Sequence, residues 1–126
     1  MLLETGYASD DDSYEILLLK DELETVCMGY VEGQYYSGEI NRKEAISLLR
    51  SEAFLTYNEA VKLIDEIERE LFSGTCSFIG MVEMESLQRE YKQKMKTNYN
   101  VYDFHQAILK HGAIPFNYLK KEILSP

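Results

Sequence analysis

The chain has 126 residues, of which 45% are hydrophobic, and a formal net charge of −9. That length and apolar content suit one packed domain, and the acidic surplus repels the phosphates of nucleic acid and of an anionic membrane surface. No apolar run approaches the ~20 residues that cross a bilayer, and "MLLETGYASDDD" lacks the basic start and apolar segment of a secretory signal, so a cytoplasmic protein is expected.

Residues 1–12 read as a flexible acidic segment ending in Asp10, Asp11 and Asp12. Ser13 then suits the cap of a first helix, with Glu15 in its first turn facing the positive end of the dipole. In "YEILLLKDELETVCMGYVEGQYY", Ile16, Leu19, Leu23, Val26, Cys27, Tyr30 and Val31 form one apolar helical stripe. Gly29 and Gly33, four apart on that helix, predict a close approach by a second helix. Ser37 and Gly38 end it.

Asn41 followed by Glu44 is a capping box and predicts a short helix to about Leu49. Thr56 and Glu59 repeat the device before Ala60, Val61, Leu63, Ile64, Ile67 and Leu71, while Asp65, Glu66, Glu68, Arg69 and Glu70 form a solvated face. A turn is expected at Ser73-Gly74, then a long helix carrying Phe78, Met81, Val82, Met84, Leu87, Tyr91 and Met95, with Lys92, Lys94 and Lys96 at its negative end. Asn100 opens the next helix, which holds Tyr102, His105, Ala107, Ile108 and Leu109 and stops at Gly112; Pro115 suits the first turn of a last helix over 115–124. No β-alternation persists. The fold expected is all-α, five or six helices with short loops, in a single helical domain over 1–126.

The letters offer little chemistry. His105 and His111 are six apart, so a single helix points them in different directions, and the H-E-x-x-H zinc motif is absent. "GQYYSGEINRKE" has the glycine and final glutamate of a calcium loop, but Gly33, Tyr35 and Ser37 stand where ligand oxygens are needed. Cys27 and Cys76 have neither zinc nor redox spacing and read as two buried thiols. No glycine elbow surrounds a serine, and Gly74 and Gly80 are too isolated for a phosphate loop. No catalytic set, metal site or cofactor is expected from the residues alone.

"YDFHQAILKHGAIPFNYLKKEI" resembles the closing segment of a bacterial family, domain of unknown function 885, through Phe104, His105, Leu109, Gly112, Pro115 and Phe116. The likeness extends to Gly6 and Tyr7, to "GEINRKEAISLL", and to "SFIG" with its Gly80. The resemblance implies a mostly helical scaffold of the zinc-dependent gluzincin metallopeptidases. Their H-E-x-x-H helix and further glutamate lie upstream of the part matched, so the chain resembles the family's C-terminal portion. Where the family has an arginine, an aspartate and a histidine on its long helix, this chain has Met28, Glu32 and Tyr36. Ser77 or Phe78 replaces a tyrosine whose hydroxyl could stabilise an oxyanion. His105 is the sole site-proximal candidate that persists.

The resemblance therefore implies a non-catalytic helical domain with a structural or interaction role. Two alternatives stand beside it. One is a fragment or subunit completing a peptidase whose zinc-binding half lies upstream or on another chain; the other is a small acidic adaptor for a basic partner. Loss of the zinc-bearing half would leave an apolar face, so a homodimer, or a protein partner carrying the missing half, is expected to cover Met28, Tyr35, Tyr36, Phe78, Met81 and Met84.

Overall fold

In a computed structural model, residues 12–125 are described, and they form six α-helices and no strand. The helices are α1 (Asp12–Tyr36), α2 (Arg42–Glu52), α3 (Tyr57–Arg69), α4 (Ser73–Met95), α5 (Val101–His111) and α6 (Phe116–Leu124), with a 3-10 turn at Lys96–Asn98 before α5. Gly6, Tyr7 and the acidic run before Asp12 lie outside the described residues. No described helix is long and apolar enough to cross a membrane. Two compact units divide at residue 80, within α4.

The first unit holds α1 to α3 and the start of α4. Both expected capping boxes form. The Asn41 side chain accepts from Lys43 N and Glu44 N, and Glu44 Oε2 accepts from Asn41 N at 2.8 Å. Thr56 Oγ1 accepts from Glu59 N, and Glu59 Oε2 accepts from Thr56 N at 2.8 Å. These helix-end donors would otherwise lack a partner in the helix. Ala45, Leu49, Ala53, Ala60, Ile64 and Ile67 then bury completely, against Cys27, Met28 and Val31 of α1.

Several expectations for this unit are corrected. Ser13 lies one residue inside α1, not before it. The α1 stripe divides: Cys27 and Val31 are buried, whereas Ile16, Leu19, Val26 and Tyr30 are 65%, 52%, 38% and 56% exposed. The buried face of α1 is turned toward Met28 and Glu32 instead. Helix α2 runs past Leu49 to Glu52, and Leu71 lies beyond α3 and is exposed. Cys76 is exposed while Cys27 is buried.

The turn before α4 also differs. Phe72 adopts the left-handed conformation at φ 68, and Ser73 and Gly74 are already helical. Gly74 is needed for closeness: a Cβ there would sit 2.7 Å from Met28 Cγ and 3.0 Å from the Met28 backbone. On α1, Gly29 answers it, since a Cβ at Gly29 would lie 2.8 Å from Phe78 Cβ. Gly33 has open space and takes no part, contrary to the sequence expectation.

The second unit contains the rest of α4 with α5 and α6. Its core joins Leu87 and Tyr91 of α4, Phe104 of α5, and Leu119 and Ile123 of α6. The Tyr91 ring lies 5.2 Å from Phe104 and 6.2 Å from Tyr99, centroid to centroid, within the range of favourable aromatic pairs. Buried Gln88 donates to Tyr99 Oη at 3.0 Å. Asn100 caps α5 by accepting from Tyr102 N, and Gly112 ends it at φ 62. Pro115 is the residue before α6, one position earlier than expected. Lys94 Nζ donates to Leu124 O and Ser125 O, satisfying carbonyls at the end of α6.

Candidate functional site

The most unusual side chain is Glu32. It is fully buried in the first unit, among apolar neighbours on α1. A buried carboxylate is costly unless something compensates it. Here Glu32 Oε2 accepts from Thr75 N at 2.6 Å. Thr75 lies in the first turn of α4, where backbone N–H groups have no helical acceptor and the helix dipole is positive. The sequence supplies this arrangement through Gly74, which lets the start of α4 approach Met28 on the same helix as Glu32. Glu32 Oε1 and Ser73 Oγ are buried without a hydrogen-bond partner among the described residues.

A second polar group ties α1, α2 and α3 at their surface. Tyr35 Oη donates to Glu68 Oε1 at 2.6 Å. Arg42 donates to Glu68 Oε2 and to Asp65 Oδ1. The hydrogen bond from Tyr35, then that from Arg42, holds the Glu68 carboxyl below its ordinary range, and Asp65 and Glu68 push the Arg42 guanidinium up. Tyr36 Oη donates to Ile67 O at 2.6 Å, and its ring tilts against Phe72. Arg42 therefore occupies two carboxylates of the acidic α3 face, and Tyr35 shares one of them.

In the second unit, His105 is half-buried on α5. Its Nε2 is buried without a hydrogen-bond partner among the described residues, and its ring lies 6.0 Å from that of Phe104. Ser77 donates to Ser73 O at 2.9 Å, a bond within α4, and Phe78 packs toward Gly29.

The surface expected to be left bare is largely used. Met28 is only 9% exposed and belongs to the first core, so it cannot form an outer contact. Tyr35 and Tyr36 are hydrogen-bonded within the chain, although Tyr36 keeps 43% of its surface. Among the described residues, Phe78 and Met81 join neither core cluster, and Met84 packs on the Leu87–Phe104 cluster. The exposed apolar residues of α1 instead lie on another of its faces.

Residues 1–123 match the family described as Bacterial protein of unknown function (DUF885), and the chain belongs to that family. No curated protein and no solved structure matches the chain. The zinc ion implied by the metallopeptidase resemblance does not fit the described residues. No three or more His, Cys, Asp or Glu side chains among them are grouped to hold a metal, and Glu32 faces an N–H donor, where a ligand carboxylate faces a cation.

The sequence marks Glu32 only as a departure from the family pattern, yet it carries a further signal. Glu32 follows Val31 and lies four residues after Met28, so one helical face carries a carboxylate amid apolar side chains.

Proposed function

We propose that the chain is a non-catalytic helical domain on a metallopeptidase-like scaffold, corresponding to its C-terminal portion, with a structural or protein-interaction role. The observation that carries the reading is the use made of Met28, Glu32 and Tyr36. These positions, polar in the family pattern, here fill the core, cap the start of α4 and bond the Ile67 carbonyl. Side chains so engaged are not held ready for a substrate. A cytoplasmic location belongs to the same proposal.

One observation favours a second reading, in which the chain completes a peptidase site carried elsewhere. The buried Nε2 of His105 has no hydrogen-bond partner among the described residues, and an unpaired buried nitrogen is costly unless something in the assembled state engages it. The acidic-adaptor reading has less support, because Arg42 already occupies Asp65 and Glu68.

Incubation of the purified chain with a broad peptide library, with and without zinc, tests the non-catalytic reading by mass spectrometry. No cleavage in either condition is expected. Zinc-dependent cleavage that disappears in His105→Ala overturns the non-catalytic reading.

A further inference from the structure

Along α1, Ile16, Leu17, Leu19, Val26 and Tyr30 are exposed, and Leu23 is partly buried against the edge of the first core. Ile16, Leu19, Leu23, Val26 and Tyr30 follow one another at intervals of three, four, three and four residues. That is the heptad repeat of a coiled-coil seam, with Ile16, Leu23 and Tyr30 at a and Leu19 and Val26 at d. Four of the five are among the exposed large hydrophobics, and Leu23 is half-buried. Scattered apolar residues are ordinary on a protein surface; a contiguous stripe with a period is a docking face. The seam ends at Gly33, the next d position, which has no side chain to offer and open space around it.

The flanking charges select the partner. With this phase, Glu15 and Glu22 are g positions and Lys20 is an e position. In a parallel pair, a g residue meets the e residue five positions on in the other helix, so Glu15 faces Lys20 of the second helix, twice by symmetry. In an antiparallel pair, g meets g, so Glu15 and Glu22 meet only each other, their own copies or Gly29, and Lys20 meets neither of them. Glu15 and Lys20 are both exposed, and no ion pair within the described residues engages either. Toward the C-terminal end of the seam, Leu23, Val26 and Tyr30 share a groove with Leu48 of α2. Such a groove can receive side chains of a facing helix.

We infer that α1 pairs with α1 of a second copy of this chain, as a parallel two-fold coiled coil along Ile16, Leu19, Leu23, Val26 and Tyr30. The seam covers about two heptads, so association is weak and concentration-dependent. The inference rests on the interaction role proposed above and names the partner; the contact differs from one centred on Tyr36 and α4.

Sedimentation equilibrium of the full chain tests it. The apparent mass is expected to rise with concentration from 14.7 kDa toward twice that value. Leu19→Glu, at an exposed site, is expected to abolish the rise while the helical circular dichroism stays unchanged. Glu15→Lys sets a second positive charge against Lys20 of the other copy and is expected to weaken association, and mixing it with Lys20→Glu chains is expected to restore a dimer. A mass that stays at 14.7 kDa across the range overturns the pairing. Stronger association of Glu15→Lys overturns the parallel geometry, in which the new lysine would face Lys20 of the other copy. A dimer insensitive to Leu19→Glu assigns the contact to another surface and overturns the seam. An inactive monomer leaves the non-catalytic reading intact, whereas zinc-dependent cleavage by a dimer does the reverse.

Discussion

The two cores of this protein are built differently. Around α2 and α3 the buried residues are small or aliphatic: Ala45, Ala53 and Ala60 interleave with Leu49, Ile64 and Ile67. Around α5 and α6 the core is centred on rings, with Phe104 fully buried beside Tyr91 and with Tyr99 packed at its edge. The first arrangement spreads its contacts over many modest side chains and fixes its helices with two capping boxes and the Arg42 network. The second packs Leu87, Tyr91, Leu119 and Ile123 with one large, fully buried ring, that of Phe104. Removing a side chain should therefore hurt most where the largest fully buried ring is lost.

Phe104→Ala puts that difference to the sharpest test. It is expected to cost about 3–5 kcal/mol, as large-to-small changes of buried aromatics do. In the aliphatic core, Ile64→Val should cost only about 0.5–1.5 kcal/mol, because it removes a single methyl group from a fully buried side chain. Denaturant unfolding of both variants provides the comparison. A Phe104→Ala loss no larger than that of Ile64→Val would mean that the second core is looser than its burial implies.

The next largest effect separates glycines. Gly74→Ala must place a Cβ 2.7 Å from Met28 Cγ and 3.0 Å from the Met28 backbone, so helices must shift. Overpacking of this kind costs about 1–3 kcal/mol. Gly33→Ala meets no atom within 4 Å and lies inside α1; the better helix former should stabilise the protein by about 0.5–1 kcal/mol. Thermal unfolding is expected to move in opposite directions for the two variants. A stabilising Gly74→Ala would disprove the close approach of α1 and α4 at this point.

The same pair shows what the sequence can reveal. The boxes at Asn41–Glu44 and Thr56–Glu59, the cap at Asn100 and the stop at Gly112 are legible because donor and acceptor lie within a few residues of each other. The helix count and the all-α class follow from such local signals. Which face of α1 is buried is not legible. Seven apolar positions suggest one stripe, yet neighbouring helices distant in sequence cover Cys27, Met28 and Val31 and leave Ile16, Leu19 and Tyr30 bare. The roles of Gly33 and Gly74 escape a sequence reading for the same reason. A glycine's role depends on what stands opposite, and composition suggests a turn where Gly74 serves proximity. Of the candidate site, the sequence offers His105 but not the link between Glu32 and Thr75, which are separated by 43 residues.

The smallest expected effects are electrostatic and lie on the side of the aliphatic core. Bonds from the Thr56 hydroxyl and backbone N–H hold the Glu59 carboxyl below its ordinary range, and bonds from Tyr35 and Arg42 do the same for Glu68. For a carboxyl whose folded value is lowered, the stabilising contribution is complete above the unfolded value and disappears as pH falls through the folded one. Both groups therefore favour the fold at neutral pH and stop doing so in acid, below the ordinary glutamate range. Glu24 behaves oppositely: burial, then Asp21, raises its value, so its charged form opposes folding until acid neutralises it. Unfolding curves recorded from neutral pH downward should show a shallow loss at the acid end. Glu59→Gln preserves an oxygen for the Thr56 N–H but cannot be protonated in this range, so it should flatten part of that loss with little change in helicity. Because these groups are largely at the surface, added salt should mute the effect for Glu68 more than for the backbone-bonded Glu59. An acid limb unchanged in both Glu59→Gln and Glu68→Gln would place the responsible carboxylates elsewhere in the chain.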